Sequence, residues 1–237
     1  MVRLRFVLCC TLIVASLAST AYAAESSTEP VSRTSRGHLD RHKGMNKRVK
    51  QGNVDLIFVG DSITAGWEKT GKKTWAEHFG KLNAVNLGVG GDRTQHVLWR
   101  LENGNIDGIK PKAAVLMIGT NNSGGDEYTA EEIGAGITAI VAKLREKLPE
   151  TKILVLAIFP RGKSPNPQRE KNAKASEIAS KLADDKHVFY LDIGPKFLES
   201  DGTLSEEIMP DLLHLSPKGY EIWADAIDEK LKSLMNE

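Results

Sequence analysis

Cysteine is nearly absent. The 237 residues contain two, adjacent at Cys9-Cys10, and such a pair can build neither a disulfide framework nor a thiolate metal cage. An excess of charge is also missing: 32 Lys+Arg against 31 Asp+Glu leave a net +1, which gives no global field for nucleic acid. Long apolar runs are lacking everywhere but at the extreme N-terminus. What is present is an ordinary globular balance of 41% hydrophobic and 27% charged residues, which argues against a disordered chain. The length suits one α/β domain with a sizeable core. No internal repeat or second domain boundary is visible.

The N-terminal run reads as an export signal. Arg3 and Arg5 precede an apolar stretch, Phe6 to Leu17, and Ala21-Tyr22-Ala23 forms an A-x-A site, so cleavage is expected after Ala23. An uncleaved anchor is the alternative, although the run is short for a spanning helix, which needs ~20 apolar residues. Cleavage would remove both cysteines and with them any thiol nucleophile. The product would be exported, periplasmic or secreted, with no stable membrane anchor. Residues 24–50 are expected to be a linker and lead-in segment. Glu25 to Gly37 is rich in Ser, Thr and Pro, as flexible linkers are, and His38 to Lys50 is basic with weak helical patterning. Its Arg41, Lys43, Lys47, Arg48 and Lys50 read as a solvated face. Residues 51–237 form the domain.

Within the domain, apolar runs alternate with amphipathic stretches. Asp55 to Val59, Ala84 to Leu87, Ala113 to Ile118, Ile153 to Phe159 and Val188 to Ile193 are strand candidates. Near-continuous apolar runs of this length suit parallel strands covered on both faces. Thr129-Ala130-Glu131-Glu132 is a capping box, followed by apolar residues at helical spacing from Ile133 to Leu148. Ser216-Pro217 opens a terminal amphipathic helix through Tyr220, Trp223, Ile227, Leu231 and Leu234. Thr94 to Leu101 and Pro167 to Leu182 are further helices. The alternation implies right-handed crossovers and a parallel sheet.

Ligands of open α/β sheets bind beyond the carboxyl ends of the strands. Four motifs stand at or after that edge: Gly60-Asp61-Ser62, Gly88 to Asp92, Gly119 to Asn122 and Asp211 to His214. Each alone has a bland reading as a cap, a turn or a loop; their joint occurrence is more specific. Ser62 is a weak nucleophile unless a base takes its proton. His214 can be that base, and Asp211, three residues earlier, can fix its tautomer and stabilise the imidazolium. Attack on an ester makes an oxyanion, for which the N–H groups of Ser62 and Gly91 and the Asn121 amide are candidate donors.

Taken in order, Ser62, Gly91, Asn121 and Asp211/His214 resemble the blocks of the SGNH (GDSL-type) hydrolase superfamily. Asn86 to Asp92, His96 to Asn103, Ile109 to Lys112, Gly119 to Asn122, Pro160 to Gly162 and Asp211 to Leu215 are most similar to the catalytic subunits of type I platelet-activating factor acetylhydrolase. The likeness runs from about Val54 to Leu231. It implies a three-layer flavodoxin-like fold with a five-stranded parallel sheet of order 2-1-3-4-5, a serine esterase acting on small acyl groups, and no metal or organic cofactor. Two features depart from it. Those subunits are cytosolic, and Ile63 to Trp67 is more like bacterial members. The subunits' dimerisation and regulatory partner are therefore not carried over, and a homodimer stays an open alternative.

Other motifs carry less. Gly66 to Lys73 has the spacing of a phosphate-binding loop, but Lys73 fills the Ser/Thr position. Arg93 replaces the last glycine of a dinucleotide fingerprint, and Thr64 that of a G-x-S-x-G elbow. His38 and His42 lie four apart without the glutamate of H-E-x-x-H, and read as a solvated face. His96 reads as a packing or supporting residue. Trp99 and Trp223 read as core, and Trp67, just past Ser62, as a wall of the substrate pocket. Arg161 either contacts substrate or braces a loop. The expected function is a small-acyl, foremost acetyl, esterase acting on O-acetylated carbohydrate. A short-acyl lipid esterase and a non-catalytic envelope-binding module are the alternatives.

Overall fold

The computed structural model describes residues 26–236; the export signal expected over 1–23 lies outside them. Five strands form one parallel sheet: β1 (Leu56–Gly60), β2 (Ala84–Gly88), β3 (Ala113–Met117), β4 (Lys152–Leu156) and β5 (Val188–Leu191). Their order is β2-β1-β3-β4-β5, with Gly60 level with Gly88 on one side and Met117 on the other. The helices are α1 (Arg36–Lys50), α2 (Ser62–Ala65), α3 (Lys72–His78), α4 (Thr94–Glu102), α5 (Ala130–Lys147), α6 (Pro167–Ser180) and α7 (Pro217–Asn236). Among the described residues no helix is long and apolar enough to cross a membrane.

Strand side chains alternate between two cores because successive Cβ atoms leave opposite faces of a sheet. Ile57, Val59, Ala114, Leu116, Ile153 and Val155 join one cluster with α1, α4, α5 and α6. Leu56, Phe58, Val115, Met117, Leu154 and Leu156 join the other with α3 and α7. The predicted caps form: Thr129 Oγ1 accepts from Glu132 N–H at 3.1 Å while the Glu132 carboxylate accepts from Thr129 N–H at 2.7 Å. Ser216 Oγ accepts from Gly219 N–H at 3.2 Å. The Ile153 to Phe159 run leaves the sheet after Leu156, whose partner Leu191 ends β5; Ala157 N–H makes the last bond to that strand, to Leu191 O at 3.1 Å.

The N-terminal segment is not a free linker. Several of its polar groups, which read as solvent-facing by composition, are spent on the domain. Ser27 Oγ donates to Glu132 O at 2.6 Å, Thr94 Oγ1 donates to Ser27 O at 2.8 Å, and Val31 N–H donates to Gln95 O at 3.1 Å. Nor is the charged stripe of α1 wholly solvated. Arg41 pairs bidentately with Glu68 at 2.7 Å and donates to Gly88 O at 3.1 Å, capping carbonyls of edge strand β2. His42 is buried, 4.8 Å from the Trp99 ring and bonded to Asn46 and Asn105. It is a packing residue, and Trp99 is only half-buried against it.

Candidate active site

Ser62 stands where β1 ends and α2 begins. The turn is tight. A Cβ on Gly60 would lie 2.2 Å from Thr64 Oγ1, and one on Gly88 2.3 Å from Ala65 N, so only glycine lets the backbones approach this closely. Asp61 caps α2 by accepting from Ile63 N–H at 3.0 Å, and its other oxygen is buried without a partner. Burial pushes its carboxyl up to about 7; the Ile63 N–H opposes the rise and the Asp92 charge adds to it.

The turn before α7 brings two groups to Ser62. His214 Nε2 lies 2.9 Å from Ser62 Oγ, and His214 Nδ1 lies 2.7 Å from Asp211 Oδ2. Asp211 Oδ1 accepts from the N–H groups of Leu213 and His214 at 3.1 and 2.7 Å, which closes the turn. Between them Leu212 is left-handed, φ +59°, a conformation that costs a residue with a Cβ roughly 1–2 kcal/mol. Its carbonyl accepts from Gly162 N–H, and its own N–H donates to Met209 O, both at 2.8 Å. Partial burial alone would raise the Asp211 carboxyl, but the His214 imidazole and backbone N–H groups outweigh it and hold it below the usual carboxylate range. An ionised carboxylate can only accept, so Nδ1 carries the ring proton and Nε2 is left to accept from the serine hydroxyl. Such a chain can draw a proton from Ser62 as it attacks and return it to a leaving group.

The donors gather beside it. The first N–H groups of α2, Ser62 among them, have no intrahelical acceptor. Gly90 abuts Ser62, its ideal Cβ position lying 3.9 Å from the serine Cβ. Gly91 has φ +74°, and its N–H meets no acceptor among the described residues. Asn121 Nδ2 donates to Asp92 O at 2.9 Å, which ties its half-buried amide to the glycine loop and leaves a second N–H for a ligand. Its neighbour Asn122 is structural: it accepts from Thr94 N–H at 3.0 Å at the start of α4.

Two expectations fare differently. Trp67 is not a pocket wall. It is fully buried under β1 among Phe58, Phe79, Trp75, Tyr220 and Trp223, because the short helical turns after Ser62 rotate it inward. Arg161 braces a loop: it donates to Thr120 O and Oγ1 at 3.3 and 3.2 Å, steadying the turn that carries Asn121. His96 accepts from Arg93 N–H at 3.0 Å. Burial, with help from Arg33 and Arg93, pulls its pKa down to about 3, so it stays neutral. Sequence reasoning missed the buried pair Asp92–Arg100, 2.7 Å, which anchors the glycine loop from below. An arginine among Val97, Leu98 and Leu101 on the apolar face of α4 was the available signal.

Comparison with known proteins gives the chain a family and a fold. Residues 58–222 match the sequence profile of the GDSL-like lipase/acylhydrolase family. The chain is 42% identical over 189 residues to platelet-activating factor acetylhydrolase IB subunit alpha1 of Bos taurus, covering 79% of each chain. Its fold is similar to that of a carbohydrate acetylesterase from Sinorhizobium meliloti (TM-score 0.60, 20% identity, 77% of this chain and all, 100%, of that one). It is also similar to that of an acetylxylan esterase from Geobacillus stearothermophilus (TM-score 0.60, 20% identity, 77% and 94% covered).

Proposed function

The chain belongs to the GDSL-like lipase/acylhydrolase family and is a carboxylic ester hydrolase, and on that premise we propose that Ser62, His214 and Asp211 form its catalytic triad and that it removes small acyl groups, acetyl foremost, from O-acetylated carbohydrate. Ser62 Oγ attacks the ester carbonyl as His214 Nε2 takes its proton. The N–H groups of Ser62 and Gly91 and the Asn121 amide receive the oxyanion. His214 then protonates the leaving alkoxide, and a water attacks the acyl-enzyme with His214 again as base. One observation carries the assignment: the unbroken contact Ser62 Oγ–His214–Asp211 at 2.9 and 2.7 Å. Membership in a hydrolase family, together with that contact, argues against a non-catalytic binding module.

Three observations support a carbohydrate ester. Residues 1–23 have the pattern of an export signal, and we propose that they direct the enzyme out of the cytoplasm. The site is shallow: the Asp211 and His214 side chains keep 58% and 44% of their exposure, which suits an acetyl presented from a bulky chain. Two proteins of the same fold are carbohydrate acetylesterases. The sequence identity to a platelet-activating factor acetylhydrolase subunit favours a second reading, a short-acyl phospholipid. Comparing kcat/KM for acetylated xylo-oligosaccharide with that for a 2-acetyl phospholipid tests the choice. At least about tenfold preference for the sugar ester is expected; the opposite preference establishes the lipid reading.

A further inference from the structure

The main-chain donor at Gly91 belongs to a peptide that ought to be unstable in orientation. Val89 to Asp92 is a β-turn closed by Asp92 N–H donating to Val89 O at 3.2 Å. Its central peptide joins Gly90 to Gly91, and only Gly91 of the two has positive φ, at +74°, the pattern of a type II turn. Type I and type II turns differ by a flip of that central peptide, and two glycines place almost no steric barrier in its way. The flip matters because a trans peptide points its C=O and N–H in opposite directions. Turned over, it would present a carbonyl oxygen where the oxyanion needs a donor.

The outer side of this peptide is held from the N-terminal segment. Arg33 Nη1 lies 2.8 Å from Gly90 O and 3.4 Å from Asp92 Oδ1. His38 Nε2 lies 2.9 Å from the same Gly90 oxygen, and its Nδ1 lies 2.5 Å from Ser35 Oγ. With Ser35 O–H donating to Nδ1, Nε2 carries the proton and donates to the carbonyl. The guanidinium also lies over the turn, since a Cβ on Gly91 would come within 2.9 Å of Arg33 Nη1. Below, the Asp92 carboxylate is fixed by Arg100 at 2.7 Å. Two donors on one carbonyl stabilise the unflipped peptide and, by polarising it, strengthen the opposite N–H as a donor.

The geometry points to Arg33 and His38 as positioning residues that hold the Gly90–Gly91 peptide with its N–H aimed at the developing oxyanion. This rests on the serine esterase reading. Neither residue touches substrate; both act through Gly91. The segment that carries them is thereby part of the working enzyme.

The test measures Arg33→Gln, Arg33→Lys and His38→Ala in the full chain, with p-nitrophenyl acetate as substrate and phenylboronic acid as a tetrahedral-adduct inhibitor, rates being taken per folded molecule by circular dichroism. Arg33→Gln should lower kcat on the order of tenfold with KM within about twofold, and should weaken the boronate by a similar factor. Arg33→Lys, which keeps a cationic donor, should recover part of both losses, and His38→Ala should show a smaller loss of the same kind. Unchanged kcat in both Arg33→Gln and His38→Ala overturns the inference while leaving the serine relay intact. So does a loss confined to KM, or a loss of kcat with undiminished boronate affinity. Full activity in Ser62→Ala would instead remove the serine reading, and this inference with it.

Discussion

Asp61 stands one residue before the serine with a buried oxygen that meets no donor among the described residues. Its raised pKa, about 7 against an ordinary 3.8, has a definite sign. The folded state holds this proton more tightly than the unfolded chain, so the group's contribution is most favourable below pH ~4 and is lost as pH rises toward about 7. Asp61→Asn should therefore flatten the fall in Tm between pH 5 and 8; melting curves with the same slope as wild type would contradict this. Asn121→Ala should cost on the order of 10²–10³ in kcat, as the loss of one oxyanion donor does, and steady-state kinetics with normal kcat would remove that amide from the site. At this scale the candidate groups Ser62, Gly91, Asn121, Asp211 and His214 could be picked out for two reasons: attack on an ester needs a nucleophile, a base with its carboxylate and oxyanion donors, and their order resembles the blocks of the SGNH (GDSL-type) hydrolases. Trp67 was not legible, and Arg161 was left between substrate contact and loop bracing, because where a large side chain points is decided by packing. Trp67 turns under β1 into an aromatic cluster, and Arg161 turns back onto Thr120.

Strong periodicity made α5 and α7 readable, and capping chemistry located their starts. α3 and the residues 26–35 lacked such signals. α3 has seven residues, too few for a pattern to emerge, and lies in a stretch rich in Gly and Lys. The N-terminal segment has linker composition, yet its polar atoms find partners on α4, α5 and the glycine loop. Composition reports how many polar groups a segment has and is silent on what they bind. The glycine loop and α4 also share the buried Asp92–Arg100 pair, whose guanidinium reaches Asn105 at 2.6 Å and through it His42 and Asn46 of α1. Removing Arg100 leaves the buried Asp92 carboxylate with only the longer Arg33 contact at 3.4 Å. Arg100→Ala should cost about 3–5 kcal/mol of stability, measured by urea denaturation; a loss below about 1 kcal/mol would mean the pair is hydrated or dispensable.

The five candidate groups span residues 62 to 214 of the chain, and the fold explains why they come to one edge of the sheet. In a parallel sheet every strand ends at the same edge, so the segments after β1, β2 and β3 deliver Ser62, Gly91 and Asn121 to one rim. The turn before α7 then lowers His214 onto it. That architecture was legible from the alternation of apolar runs with helical stretches; the order of the strands came from resemblance, since hydrophobic patterning is the same for any order. Hydrolysis of p-nitrophenyl acetate by purified Ser62→Ala, set beside the wild-type enzyme with circular dichroism as the control for folding, bears most directly on the whole. A folded protein whose turnover falls by several orders of magnitude, about 10⁵ or more, is the predicted result. A folded variant within about tenfold of wild-type turnover would mean that the hydroxyl 2.9 Å from His214 is not the nucleophile.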